Sequence, residues 1–425
     1  MAGPGIRSFN FARELAHDFE VTLAVPVEPD LELPGVRIAI APPRDARTAT
    51  ALVQEHDAVV AQRLPPHTML AATRSATRVV YDLYAPVLLE DLAHGDARTL
   101  PVGLVRERER LVERLVMLTG DAFVCASERQ RDFYLGALSA AGRLTPADYK
   151  SDPSLRELVD VVPFGIDPTP PVRSSNGLRK SVPGVEPDDV VLLWGGGVWN
   201  WFDPLTVIKA VAELAQTRPQ LRLVFLGTRH PNPEIEEMAM TRSALELATE
   251  LGLRNRAVLF NESWVPYEER GAWLMDADVG VSAHFDDVET RFSFRTRLLD
   301  CVWAGLPTVS TKGDDLGEQI ARSGGGHAVP VGDVDAWVRA LTQLVDHEQS
   351  RSEARRALEP LRAAFAWPHV VERLAELLEP PGRPRSVDRS TRLLAERERA
   401  VRARMSLALR GPAGVLQHRA RRRLT

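Results

Sequence analysis

Val190-Val191-Leu192-Leu193-Trp194-Gly195-Gly196-Gly197-Val198-Trp199-Asn200-Trp201-Phe202-Asp203-Pro204 is the stretch from which the fold can be read. Its first five residues are all apolar, the pattern of a strand buried on both faces in a parallel sheet. Three glycines then turn the chain, and Pro204 sits where a helix begins. Glycines between a strand and a helix let backbone N–H groups close on a phosphate at the helix N-terminus. Taken alone, these glycines fit a phosphate cradle and a plain tight turn equally well.

The same alternation runs outward in both directions. Upstream, strands are expected at 21–26, 36–41, 58–62, 78–83, 122–127 and 161–165, with a long helix over 102–118. Downstream they are expected at 190–194, 221–226, 257–261, 278–283, 307–311 and 327–330. Short β-branched runs separated by helical patterns specify a parallel sheet with crossover helices. The stretch 167–187 is rich in Pro, Ser and Gly and reads as a linker. The chain has 425 residues, too many for one ordinary core. The expected organisation is α/β: a Rossmann-like domain over 1–172, a linker at 173–187, a second Rossmann-like domain over 188–379 and a basic helical tail at 380–425. Ile6, Phe9, Ala12, Leu15, Ala16 and Phe19 recur at helical spacing directly behind Gly3-Pro4-Gly5. In doubly wound sheets such a turn follows the first, central strand. That strand is therefore expected to be missing, with Met1 an internal methionine of a longer reading frame.

Composition narrows the class. Hydrophobic residues are 44% and charged residues 26%, the balance of a globular enzyme. The net charge of −5 argues against a general nucleic-acid binder. Cys125 and Cys301 are isolated, which excludes a zinc knuckle and a disulfide framework. No run reaches the ~18 consecutive apolar residues of a membrane span, and no signal-peptide pattern opens the chain, so a cytoplasmic location is expected. The charge is uneven. Residues 380–425 hold 13 arginines against Asp388, Glu396 and Glu398, a charge of +10, which leaves −15 on residues 1–379.

Two more segments in the second half carry chemistry. In Ser293-Phe294-Arg295-Thr296-Arg297-Leu298-Leu299-Asp300, Ser293 is the expected N-cap of an amphipathic helix ending at Gly305. Two arginines then stand at the positive end of the helix dipole, an unfavourable place unless an anion binds there. Arg297 and Asp300 are three residues apart and share a face, a cation for phosphate and a carboxylate for ribose hydroxyls. The segment His284-Phe285-Asp286-Asp287-Val288-Glu289-Thr290-Arg291-Phe292 follows a strand and offers three carboxylates, a His and an Arg for polyol recognition. A solvated helix end and an acidic surface loop are the plain readings of the same residues.

At these residues the chain resembles the nucleotide-binding half of the GT-B glycosyltransferases, specifically glycosyltransferase family 4. Arg297 and Asp300 followed by Trp303-Ala304-Gly305-Leu306-Pro307 resemble that family's basic residue, ribose-binding acid and small-Gly-x-Pro turn. The first half adds Gly3-Pro4-Gly5-Ile6-Arg7, Ala126-Ser127-Glu128 and Val162-Pro163-Phe164-Gly165-Ile166-Asp167, the last similar to the family's Pro-Asn-Gly-Val-Asp turn. The resemblance covers residues 1–378. It has three departures. The Arg and Lys usual after the second glycine loop are missing from Trp199–Asp203, Phe292 stands at the first of the family's paired acids, and Tyr81-Asp82-Leu83-Tyr84 replaces a first-domain histidine.

The resemblance implies two Rossmann-like domains facing a cleft and transfer of a sugar from a nucleoside diphosphate sugar to an acceptor hydroxyl, with retention at the anomeric carbon. Arg297, Arg295 and Glu289 are then the catalytic candidates. Gly196, Gly197, Asp300 and the loop residues Trp264 and Val265 are the donor-binding candidates, and Gly5, Arg7, Asp82, His284 and Asp286 the acceptor-side candidates. Departure of a nucleoside diphosphate leaves negative charge that needs fixed donors. Arg297 and the glycine amides supply them, so neither a metal nor a cofactor is expected, and no Asp-x-Asp motif stands at a suitable strand end. The acceptor is a glycan, a lipid-linked or a small molecule. Rival readings are an epimerase- or phosphorylase-like enzyme of the same architecture, and a degenerate partner subunit that only binds nucleotide-sugar. Residues 390–409 read as a helix with Leu394, Val401, Met405, Ala408 and Leu409 near one face and arginines over much of the rest. A basic amphipathic helix suits an anionic membrane surface as a peripheral contact, and packing against the acidic body is the other reading.

Overall fold

In the computed structural model, which describes residues 3–29, 32–43, 45–93, 102–228, 238–263, 265–382 and 387–410, every pairing between strands is parallel. The chain divides into two compact units, one of residues 8–163 and 371–425 and the other of residues 1–7 and 164–370.

The first unit holds β1 (Val21–Val25), β2 (Val36–Ile40), β3 (Ala58–Ala61), β4 (Arg78–Asp82), β5 (Ala122–Cys125) and β6 (Val159–Val161). They form two separate sheets, β1-β2 and β3-β4-β5-β6. Among the described residues no strand lies between β1 and β3, and the helix Gly3–Leu15 comes first. His56 Nε2, just ahead of β3, lies 2.9 Å from Thr22 Oγ1 on β1. Val79, Tyr81, Phe123, Cys125, Leu115 and Tyr134 build the core between β4, β5 and the helices Val102–Thr119 and Glu128–Ala141.

The boundaries of this unit differ from those read in the sequence. β6 spans Val159–Val161 instead of running over 161–165; Val162 N makes the last bond to β5, donating to Cys125 O. The tail helix Arg389–Arg410 is part of the unit, not a free appendage. It buries Thr391, Ala395, Glu398 and Val401, packs along Val102–Thr119, and ties Glu398 to Arg108 at 3.1 Å and Arg397 to Glu107 at 2.7 Å. Residues 411–425 lie outside the described residues.

The second unit carries β7 (Val190–Trp194), β8 (Leu221–Phe225), β9 (Val258–Phe260), β10 (Val279–Ser282), β11 (Thr308–Thr311) and β12 (Gly326–Val329) in one sheet of order β12-β11-β10-β7-β8-β9. Trp194, Phe225, Val281, Val309 and Trp337 are buried in its core. Gly280 lets β10 lie against the helix Thr296–Ala304: a Cβ there would stand 2.5 Å from Cys301 Sγ. Within the expected linker, Leu178–Ser181 is a short helix held by Arg179, which donates to Asp276 O at 3.1 Å and pairs with Asp278.

Candidate functional site

The strand order of the second unit reverses between β7 and β10. Open α/β sheets bind ligands beyond the carboxyl ends of the strands at such a point. After β7 the chain passes through Gly195, Gly196 and Gly197. Gly196 has φ +120°, which side-chain-bearing residues rarely adopt, and a Cβ on it would stand 3.7 Å from Arg297 Nη2. The loop then crosses to the end of β10: Phe202 bridges His284, and Asp203 N donates to Ala283 O at 3.0 Å. Asp203 caps the helix Pro204–Leu214, accepting from Thr206 N at 3.1 Å.

Arg297 is the second residue of the helix Thr296–Ala304. Its Nη2 donates to Gly197 O at 2.8 Å, and its guanidinium lies 3.9 Å from the centre of the Phe202 ring. Nη1 is buried without a hydrogen-bond partner. Burial first, and the Arg295 charge second, pull the guanidinium down to about 9. A desolvated cation with an unspent donor, beside a glycine turn and a helix N-terminus, is arranged to receive an anion.

Arg295 stands beside it in sequence but is placed differently. Its Nη1 and Nη2 donate to Glu289 Oε1 at 3.1 Å and Oε2 at 2.6 Å, and Nη2 also donates to Thr290 Oγ1 at 3.2 Å. Both partners are buried. This inward pull corrects the expected cap. Ser293 ends the short helix Val288–Phe292, which Asp287 caps, and Arg295 takes the N-cap position of the next helix without a capping bond. Of the two arginines, Arg295 has both terminal nitrogens on Glu289, with its Nε buried unpartnered, and Arg297 keeps a terminal nitrogen, Nη1, without a partner.

Asp300, three residues on from Arg297 and so on the same side of that helix, is one-third exposed. Burial raises its carboxyl above the ordinary range, against the opposing pull of Arg270 and Arg297. Arg270 Nε donates to Asp300 Oδ1 at 3.2 Å, with its guanidinium 3.5 Å from the Tyr267 ring centre and 4.5 Å from that of Trp303. No motif in the sequence points to Arg270; only the fold brings it to Asp300.

His284 is buried, and its Nε2 lies 3.2 Å from Lys312 O. A carbonyl only accepts, so Nε2 carries the proton and Nδ1 is left as a bare acceptor. Nδ1 is buried without a partner. Burial first, then Arg295, holds the imidazole down at about 3, so it is neutral at neutral pH. Asp286 is exposed and Val265 is buried, while Trp264 lies outside the described residues. Gly5 is exposed, Arg7 is fully buried and Asp82 is buried at the end of β4. Among the described residues no three His, Cys, Asp or Glu side chains converge on one point.

Residues 189–347, which contain all of this second-unit site, match the family model described as glycosyl transferases group 1. That match lies wholly within the second unit. Among curated proteins, the D-inositol 3-phosphate glycosyltransferase of Paenarthrobacter aurescens is 26% identical over 211 residues, covering 49% of this chain and 48% of that one. The protein of the same name from Nocardioides sp. is 26% identical over 318 residues, 72% of this chain and 63% of that one. The chain thus spans about half of the first relative and under two thirds of the second. Among solved structures, Anabaena Alr3699/HepE in complex with UDP and glucose superposes with a TM-score of 0.64 at 15% identity, over 89% of this chain and 96% of that one. The fold is that of the GT-B glycosyltransferases, and the residues that match the family model include the β7–β10 reversal point.

Proposed function

We propose that the chain is a glycosyltransferase that moves a sugar from a nucleoside diphosphate sugar to an acceptor hydroxyl, with retention at the anomeric carbon and without a metal. The observation that carries this reading is Arg297 Nη1, a buried charged donor left open at the β7–β10 reversal point. Arg297, the first turn of its helix and the amides of Gly196 and Gly197 hold the diphosphate and stabilise its charge as it leaves. Asp300, steadied by Arg270, accepts from ribose hydroxyls. The loop holding Val265 approaches the base. The bare Nδ1 of His284 accepts from a hydroxyl of the sugar, with Asp286 at the rim. Glu289 does not act as a base in this scheme, because its charge is matched by Arg295; the pair positions the turn that presents Arg297. The departing phosphate takes the acceptor proton. Anabaena Alr3699/HepE, which shares the fold, binds UDP and glucose, and this supports a uridine donor as the first to try. Asp82, buried at the end of β4, is the acceptor-side candidate.

The test is release of nucleoside diphosphate from a panel of nucleotide-sugars in chelator-treated buffer. Slow hydrolysis without acceptor, abolished in Arg297→Ala, is expected. Binding without any release, over the whole panel and with acceptors added, would instead fit a partner subunit.

A further inference from the structure

The tail helix Arg389–Arg410 has two faces, and only one of them is used by the fold. The inner face, with Thr391, Ala395, Glu398 and Val401, is buried on the helix Val102–Thr119. On the opposite side Leu393, Ala400 and Leu407 recur every seventh residue and so share one face. Leu393 is 52% and Leu407 68% exposed, and Ala400 is exposed between them. Arg392 and Arg399 flank this stripe on one side, Arg397 and Arg404 on the other, and all four are exposed. Arg397 is paired with Glu107, and Arg402 lies 4.0 Å from the buried Glu398. Arg389, Arg392, Arg399 and Arg404 make no ion pair among the described residues. Glu396 is the exposed acid on this surface.

We propose that the outer face of the tail helix docks the protein on an anionic membrane surface. Leu393, Ala400 and Leu407 enter the headgroup boundary, and the flanking arginines meet lipid phosphates. The pairing of charges favours this occupant. Residues 1–379 carry −15 and residues 380–425 carry +10, so a broad anionic plane attracts the helix and repels the rest. A narrow apolar stripe with cations on both margins fits a plane. A protein groove calls for a wider i, i+3, i+4 face, and a nucleic acid needs the arginines but not the leucines. The helix has 22 residues, about 33 Å of contact lying along the surface. Among the described residues no helix is long and apolar enough to cross a membrane. The face differs from that expected of a free amphipathic tail, since Val401 is already buried inward.

Co-sedimentation of the full-length chain with phosphatidylglycerol and with phosphatidylcholine vesicles tests this. Wild type is expected to pellet with the anionic vesicles only, and less as salt rises. Each arginine near an anionic surface contributes about fivefold, so the variant Arg392→Gln/Arg399→Gln/Arg404→Gln should lose binding by about a hundredfold. The variant Leu393→Gln/Leu407→Gln should lose about tenfold, because two exposed leucines no longer enter the boundary. Both variants change only outward side chains, and unaltered thermal melting checks that the helix remains docked. Equal pelleting with the two vesicle types, no pelleting at low salt, or a leucine variant that binds like wild type would overturn the proposal. So would equally tight binding of the leucine variant to heparin or RNA, which would assign the face to a soluble polyanion.

Discussion

Replacing Arg297 by Met should make the protein more stable and unable to hold its donor. In the free protein the guanidinium is a cost. Burial and Arg295 pull it from its ordinary high value down to about 9, an upper bound of about 5 kcal/mol before partial solvent access is allowed for. Against this stand the bond to Gly197 O and the stacking on Phe202 at 3.9 Å, together worth about 2–3 kcal/mol. Methionine fills the same channel and keeps a favourable contact with the ring. The balance is a gain of about 1–2 kcal/mol, or a rise in Tm of about 2–8 °C by differential scanning fluorimetry for domains of this size. Donor binding moves the other way. Loss of a desolvated charge-assisted contact costs about 2–5 kcal/mol, a fall in affinity of thirtyfold or more by calorimetry. A variant that melts lower than wild type and binds donor normally would refute the reasoning, because Arg297 would then be a structural cation.

Three further outcomes follow from the same geometry. Asp300→Asn should raise the donor KM with little change in kcat, since ribose contacts are shared by ground and transition states; an unchanged KM removes Asp300 from the site. Glu289→Gln strips the buried Arg295 of its counter-charge and should cost about 3–5 kcal/mol in urea unfolding, whereas a loss below 1 kcal/mol would show that the pair is solvated. His284 has a folded pKa of about 3, below its ordinary 6.5, so its neutral form is the one the fold favours. Its contribution is complete above pH 6.5 and is lost as pH falls toward 3, a destabilisation of about 2 kcal/mol at pH 5. The acid limb of a Tm–pH profile should flatten in His284→Gln, and an unchanged limb contradicts the assignment.

The sheet of the second unit was legible because a parallel strand buried on both faces is a bare run of apolar residues. Val190–Trp194 begins and ends where the sequence places it, and Gly305 ends its helix with φ +61°. Arg297 and Asp300 were legible as a pair because helical spacing fixes their common face. What distinguishes Arg297 from Arg295 was not. The bidentate bond to Glu289 depends on a short helix, Val288–Phe292, that local propensity does not announce, and it displaced the cap from Ser293. Arg270 reaches Asp300 from another element, across 30 residues of chain, and leaves no local pattern. The tail helix was readable as basic and amphipathic. Its inner face was settled by a long-range partner, the helix Val102–Thr119, together with Glu398, a charged residue that sequence alone would place in solvent.

The central claim is that Arg297 and the glycine turn hold a diphosphate at the β7–β10 reversal point. Calorimetric titration of the full-length protein with a nucleoside diphosphate and with its monophosphate, using the base that the panel selects, measures this directly. The diphosphate is expected to bind at least tenfold more tightly in wild type, with the difference gone in Arg297→Met. Equal affinities for the two nucleotides in wild type, or a diphosphate preference that survives in the variant, would contradict it.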